Sequence, residues 1–218
     1  MCGRFTLTLG AREVALRFSC ESGLTMFQPR YNAAPGQMLP VIIDKQIKLM
    51  RWGLIPSWAN NPSIGNKMIN ARSETVAEKP SFKNLFRSRR CIIPADGYYE
   101  WQKVGKLKIP MRIVLKSRDI FGLAGLWDLW QNPNGDPLYT FTILTTEPVN
   151  SVQDIHNRMP IILQPDNEQF WLNSTINSPA DTDFLRSLLK PVEELESYRV
   201  STLVNTPSNE TSECILPI

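Results

Sequence analysis

The sequence holds a single histidine, His156, so any imidazole chemistry must run through that one ring. No apolar stretch approaches the roughly 18 residues that a membrane-crossing helix needs. The start, MCGRFTLTLGAREVALRF, has no basic segment leading into an apolar one, so no secretory leader is expected. These absences point to a cytoplasmic protein with no membrane partner. Paired cysteines are missing too. Cys2, Cys20, Cys91 and Cys214 are scattered, with neither metal-knuckle nor CxxC spacing, so no metal, redox pair or other cofactor is expected. In a reducing compartment all four remain thiols. Cys91 lies in the apolar run Cys91-Ile92-Ile93 and is expected in the core, Cys20 closes a helix, and Cys214 falls in a tail. There is also no internal repeat, low-complexity tract or linker.

What is present is ordinary for a globular chain: 218 residues, 42% hydrophobic and 21% charged, enough for one domain with a sizeable core. A net charge of +3 says little about partners by itself. The positions of the cations say more. Lys83, Arg87, Arg89 and Arg90 cluster, and Arg51 and Arg72 flank a loop rich in Trp, Pro and Asn, a pattern that fits either a phosphate-binding face or a solvated surface.

Seventeen prolines and eleven glycines punctuate the chain and favour short strands joined by structured loops. Residues 2–8 read as a strand and residues 10–18 as a short amphipathic helix. Residues 39–51 read as a hairpin turning at Asp44-Lys45, and residues 53–68 as a long packed loop. Ser73 is placed to cap a helix through Val76, and a second short helix starts near Ser81. Strands are expected at about 90–94, 97–103, 108–116, 120–127 and 138–145, the last two joined by an Asn134-Gly135 turn. Residues 167–172 and 181–189 look helical, and the polar tail from about 207 to 218 reads as disordered. With no βαβ rhythm, the expectation is one α+β domain spanning residues 1–218. Its core is a largely antiparallel, barrel-like sheet with short flanking helices.

Four residues carry candidate chemistry. His156, in Asp154-Ile155-His156-Asn157-Arg158, is either a structural histidine or a proton shuttle. Glu100, in Gly97-Tyr98-Tyr99-Glu100-Trp101, shares a strand face with Tyr98, while Tyr99 and Trp101 share the other. A carboxylate among aromatics is either exposed or buried with a raised pKa that suits acid–base work. Asn70 is a turn or cap residue, or one that offers a neutral donor and acceptor beside the guanidinium of Arg72. Cys2 is the least ordinary. A small second residue permits removal of Met1, which leaves an α-amine and a thiol on adjacent carbons. The amine, with an ordinary pKa of about 7.7–8.0, attacks aldehydes, and the thiol then closes a five-membered thiazolidine. The bland alternative is a buried cysteine at the start of a strand.

Several segments in register resemble one family, the SRAP domain proteins, named SOS-response-associated peptidases. They are Met1-Cys2-Gly3-Arg4-Phe5, Arg30-Tyr31-Asn32-Ala33-Ala34-Pro35-Gly36, Arg51-Trp52-Gly53-Leu54-Ile55-Pro56-Ser57-Trp58 and Ile69-Asn70-Ala71-Arg72-Ser73-Glu74-Thr75. They continue with Cys91-Ile92-Ile93-Pro94-Ala95-Asp96-Gly97-Tyr98-Tyr99-Glu100-Trp101, Phe121-Gly122-Leu123-Ala124-Gly125-Leu126-Trp127, Thr145-Thr146-Glu147-Pro148 and His156-Asn157-Arg158-Met159-Pro160. The match spans residues 2–163 and is weak from 164 to 218. The resemblance implies a monomer that binds single-stranded DNA and traps abasic sites as a DNA–protein crosslink through Cys2. It implies that Asn70 holds the opened sugar or the Cys2 amine, that Glu100 assists ring opening and proton transfer, and that His156 is a second acid–base group. Arg4, Arg72 and Arg158 would grip phosphates, Trp52 and Trp101 would line the DNA path, and Asn32 and Thr145 would add contacts. The family name also implies self-removal of Met1. The alternatives are a cysteine-type peptidase with Cys2 as nucleophile and His156 as base, or a DNA-binding module without chemistry.

Overall fold

A computed structural model describes residues 2–21 and 26–218. Among these residues, twelve strands, four α-helices and short 3-10 turns form two β-systems that share one hydrophobic core. The strands are β1 (Phe5–Leu7), β2 (Arg30–Ala33), β3 (Met38–Ile43), β4 (Gln46–Trp52), β5 (Asn70–Arg72) and β6 (Arg90–Ala95). They continue with β7 (Gly97–Val104), β8 (Leu107–Leu115), β9 (Phe121–Gln131), β10 (Pro137–Thr146), β11 (Met159–Pro160) and β12 (Leu195–Arg199). The helices are α1 (Ala11–Arg17), α2 (Lys83–Ser88), α3 (Pro165–Asn173) and α4 (Pro179–Ser187).

Strands β10, β4, β3, β6 and β9 follow one another side by side, and β9 pairs back onto β10, closing a five-stranded barrel. All its pairings are antiparallel except β10 with β4. The second system is an open antiparallel sheet in the order β12-β8-β7-β1-β2. This is the α+β, barrel-centred fold expected. The 39–51 hairpin turns where the sequence places it, because Asp44 and Lys45 both take positive φ, the backbone of a tight hairpin turn.

Strand β1 joins the two systems and departs from simple alternation: Phe5, Thr6 and Leu7 are all buried. Phe5 packs on Trp52 at 5.2 Å between ring centroids, and Trp52 stacks on Phe141 of the barrel at 6.1 Å. On the other side the Thr6 hydroxyl donates to Asp96, whose carboxylate also accepts from Thr8 N at 2.6 Å and pairs with Arg112 at 3.0 Å. A buried charge pair of this kind persists because the surrounding donors satisfy it.

Three expectations are corrected. Residues 73–81 form successive turns, not a helix from Ser73, although α2 does follow Ser81. The polar segment after Pro207 is ordered: Cys214 is buried, and the Glu210 carboxylate accepts from Asn32 N at 2.8 Å and from the Tyr31 amide. The basic cluster is only half open: Lys83 and Arg87 are exposed, but the other two members are engaged within the fold. Arg90 is buried and donates to the carbonyls of Trp171 (2.5 Å), Phe86 (2.7 Å), Arg87 (2.8 Å) and Ser174, closing the C-terminal ends of α2 and α3. Arg89 pairs with the buried Asp128.

Candidate active site

The site starts from the placement of Cys2. Its side chain is buried, and its carbonyl accepts a 2.8 Å hydrogen bond from Asn70 Nδ2. Asn70 opens β5, which pairs in parallel with β10 through Asn70–Ile143. The long loop before it is packed as expected. Gly53 turns the chain at φ +116°, where any Cβ would stand 2.6 Å from the Gly65 carbonyl. Trp52 Nε1 donates to Ile69 O at 2.9 Å, immediately before Asn70.

Glu100 lies on the inner face of β7 with Tyr98, as the alternation implies, and only 4% of it is exposed. Burial lifts its carboxyl from the ordinary 4.5 to about 7. Burial, with the Glu100 charge nearby, pushes the Cys2 thiol well above its ordinary range. His156, on the loop before β11, brings Nε2 to 3.9 Å from Glu100 Oε2. Its pKa is lowered, first by burial and then by nearby positive charge, Lys103 included. On the far side of the ring, Nδ1 lies 3.1 Å from the Arg158 amide N and 3.2 Å from the Arg158 carbonyl. A neutral ring accepts from the first and a protonated ring donates to the second, so the backbone supports both protonation states.

Cys2, Asn70, Glu100 and His156 are thus brought to one place, beside a cavity of about 490 Å³ lined by Glu100, Trp101, Lys103, Lys108, His156 and Asn205. Among the described residues, no group of His, Cys, Asp or Glu converges as a metal site, and no helix is long and apolar enough to cross a membrane. Met1 lies outside the described residues.

The remaining expected contact residues divide. Arg72 is exposed on β5, and Trp101 is half-buried with its Nε1 donating to Asn205 Oδ1 at 2.7 Å. Others are committed internally. Arg4 donates to Asn32 Oδ1 and Val204 O, both at 2.7 Å, and burial lowers its pKa. Asn32 is fully buried and donates to the carbonyls of Thr206 and Asn209, each at 3.0 Å. Thr145 is buried, its hydroxyl 3.5 Å from Ala71 O. Arg158 is held by both oxygens of Glu74, at 2.7 and 3.0 Å, and by Thr145 O at 2.5 Å. Trp52 is buried in the core and cannot line a DNA path; the exposed tryptophan of that segment is Trp58, at 64%. Sequence reasoning passed over Trp58, Lys103, Lys108 and Asn205. Trp58 was findable as an aromatic in a Pro-Ser loop, whereas Asn205 reaches the cavity only through tertiary folding.

A family model described as SOS response associated peptidase (SRAP) matches residues 1–207. Over 224 residues the chain is 48% identical to "Abasic site processing protein YoqW" of Bacillus subtilis (strain 168), covering 99% of each chain. It is 32% identical over 268 residues to "Abasic site processing protein HMCES" of Xenopus tropicalis, covering 100% of this chain and 78% of that one. A crystal structure of a Bacteroides thetaiotaomicron protein superimposes with a TM-score of 0.88 at 32% identity, covering 100% of both chains.

Proposed function

Because this chain belongs to the SOS response associated peptidase (SRAP) family, we propose that it processes abasic sites in single-stranded DNA by trapping them covalently on Cys2. The observation that carries the reading is the anchoring of Cys2 by Asn70, at 2.8 Å, beside a carboxyl that titrates near pH 7 and a histidine 3.9 Å from it.

An abasic deoxyribose is a cyclic hemiacetal in equilibrium with an aldehyde. Glu100, near its midpoint at neutral pH, moves the proton that opens the ring. With Met1 removed, the Cys2 amine adds to the aldehyde carbon, and loss of one water gives an imine. The Cys2 thiol then adds across the C=N bond, sulfur to carbon and hydrogen to nitrogen, closing a thiazolidine. Asn70 fixes the Cys2 backbone so that amine and thiol address the same carbon. His156 is the second proton carrier, supported by Arg158 in either protonation state. Trp101, half-buried at the cavity, and Trp58, exposed on the segment after β4, offer aromatic surface on which bases stack, and Arg72 offers a guanidinium for phosphate. The raised thiol pKa of Cys2 disfavours the resting thiolate that a cysteine peptidase uses, whereas imine formation begins with the amine and does not need one.

The test is incubation of the mature protein with an abasic single-stranded oligonucleotide, followed by denaturing electrophoresis and mass spectrometry. The expected adduct has the mass of protein plus DNA less one water. Cys2→Ala should leave only a labile imine. The reading fails if the wild type forms no adduct, or if Cys2→Ala forms an equally heat-stable one.

A further inference from the structure

The β7–β8 hairpin carries a cost that its own fold does not explain. Lys103 of β7 stands directly opposite Lys108 of β8, and Lys106 sits in the turn after Gly105, where φ is +61°. Like charges directly opposite on paired strands destabilise the pairing. All three lysines are exposed, and among the described residues none of them is in an ion pair. Of the other candidate cations, Arg4, Arg89, Arg90 and Arg158 bond within the fold, whereas Arg72, Lys83 and Arg87 are exposed but do not line this cavity.

The position of the pair gives it a use. Lys103 and Lys108 line the same cavity as Glu100 and His156. By strand alternation Lys103 shares a face with Trp101, and the register puts Lys108 on that face too, since Trp101 lies opposite Pro110 and Lys103 opposite Lys108. An aromatic platform followed along one strand face by two open ammonium groups is the arrangement that holds a single strand, with a base on the ring and backbone phosphate on the cations.

We propose that Lys103 and Lys108 form a phosphate subsite that seats the DNA backbone next to the trapped sugar, with Lys106 raising the potential at its outer edge. A bound phosphate lies between the two ammonium groups and removes their mutual repulsion. The hairpin therefore keeps an unfavourable pair in the free protein and relieves it on binding. This inference rests on the reading of the cavity as a single-stranded DNA site.

Binding of an undamaged single-stranded oligonucleotide, followed by fluorescence anisotropy across a salt series, tests it without requiring the covalent step. If Lys103 and Lys108 each neutralise one phosphate, Lys103→Gln/Lys108→Gln should flatten the slope of log K against log salt by about 1.4. Affinity near 0.1 M salt should fall by roughly ten- to thirty-fold. The thermal midpoint should not fall, because the substitution removes a repulsion; this separates lost contact from lost fold. The control Lys79→Gln/Lys190→Gln alters two exposed lysines outside the cavity and should leave the slope unchanged. A hairpin variant that binds with wild-type affinity and slope overturns the subsite alone. So does a control pair that weakens binding equally. A wild-type protein that does not bind the oligonucleotide overturns both the subsite and the DNA reading.

Discussion

Burial keeps the Glu100 carboxyl protonated to near neutrality, and the same burial makes it a stability liability. Its folded pKa of about 7 lies above the ordinary 4.5. The stability it contributes as a neutral group is fully present below about pH 4.5 and is lost as pH rises through 7, because the unfolded chain ionises first. The full loss is about 3 kcal/mol, from a shift of roughly 2.5 units at 1.36 kcal/mol each. Glu100→Gln should therefore gain on the wild type between pH 5 and pH 8, read from denaturant midpoints at the two pH values. The same variant should trap abasic DNA about 100-fold more slowly or worse, as loss of a general acid–base group implies. The two tryptophans of the 51–58 segment separate in a similar way. Trp58→Ala should weaken single-strand binding by about 1–3 kcal/mol with little change in stability. Trp52→Ala should cost about 3–5 kcal/mol of stability, because it empties the stack between Phe5 and Phe141. Anisotropy and chemical denaturation on both variants distinguish the roles, and equal effects on binding would refute the assignment.

At the scale of elements, Arg90 holds the barrel to its helices. From β6 it supplies donors to four carbonyls at the ends of α2 and α3, beside the Trp171 ring, which lies 5.8 Å from Phe86. Arg90→Met fills much the same volume but leaves those carbonyls buried and unmet. A loss of about 3–5 kcal/mol is expected, measured as a shift in urea midpoint; a neutral result would mean that water satisfies the helix ends. The strands from 90 to 146 were legible in the sequence because each is bounded by turn residues and carries β-branched or aromatic side chains. Asp44-Lys45 and Asn134-Gly135 announce their hairpins directly. No helix runs from Ser73: Ser73 N extends the β5–β10 pairing by donating to Thr145 O, and the chain continues in local turns such as Thr75 N to Arg72 O and Glu78 N to Thr75 O.

For the whole molecule, the Cys2–Asn70–Glu100–His156 cluster was readable as residue types, but not as a place. Its members come from the start of the chain, from β5, from β7 and from the loop before β11, and only the joining of barrel and sheet makes them neighbours. Which cations the fold leaves open was less legible. Whether an arginine is free depends on which carboxylates and carbonyls the fold brings to it, and composition does not record that. The C-terminal segment was the least legible part. Its polarity reads as disorder, yet its backbone carbonyls meet Arg4 and Asn32, and its Glu210 carboxylate meets the amides of Tyr31 and Asn32. Glu210→Ala should cost about 1–3 kcal/mol through those unmet amides. Hydrogen exchange at Tyr31 and Asn32 should accelerate with it. Unchanged protection at both would show that the segment is held elsewhere.

The 200-residue separation between Arg4 and the Val204 carbonyl it grips also sets a schedule during synthesis. At about 5–20 residues per second, a ribosome takes about 10–40 s to travel from one to the other. Throughout that interval Arg4 lacks its carbonyl partners at Val204 and Asn205, although β2 and β7, which pair with the first strand, are made before it ends. Docking of the C-terminal segment against Arg4 is thereby deferred until synthesis is nearly complete.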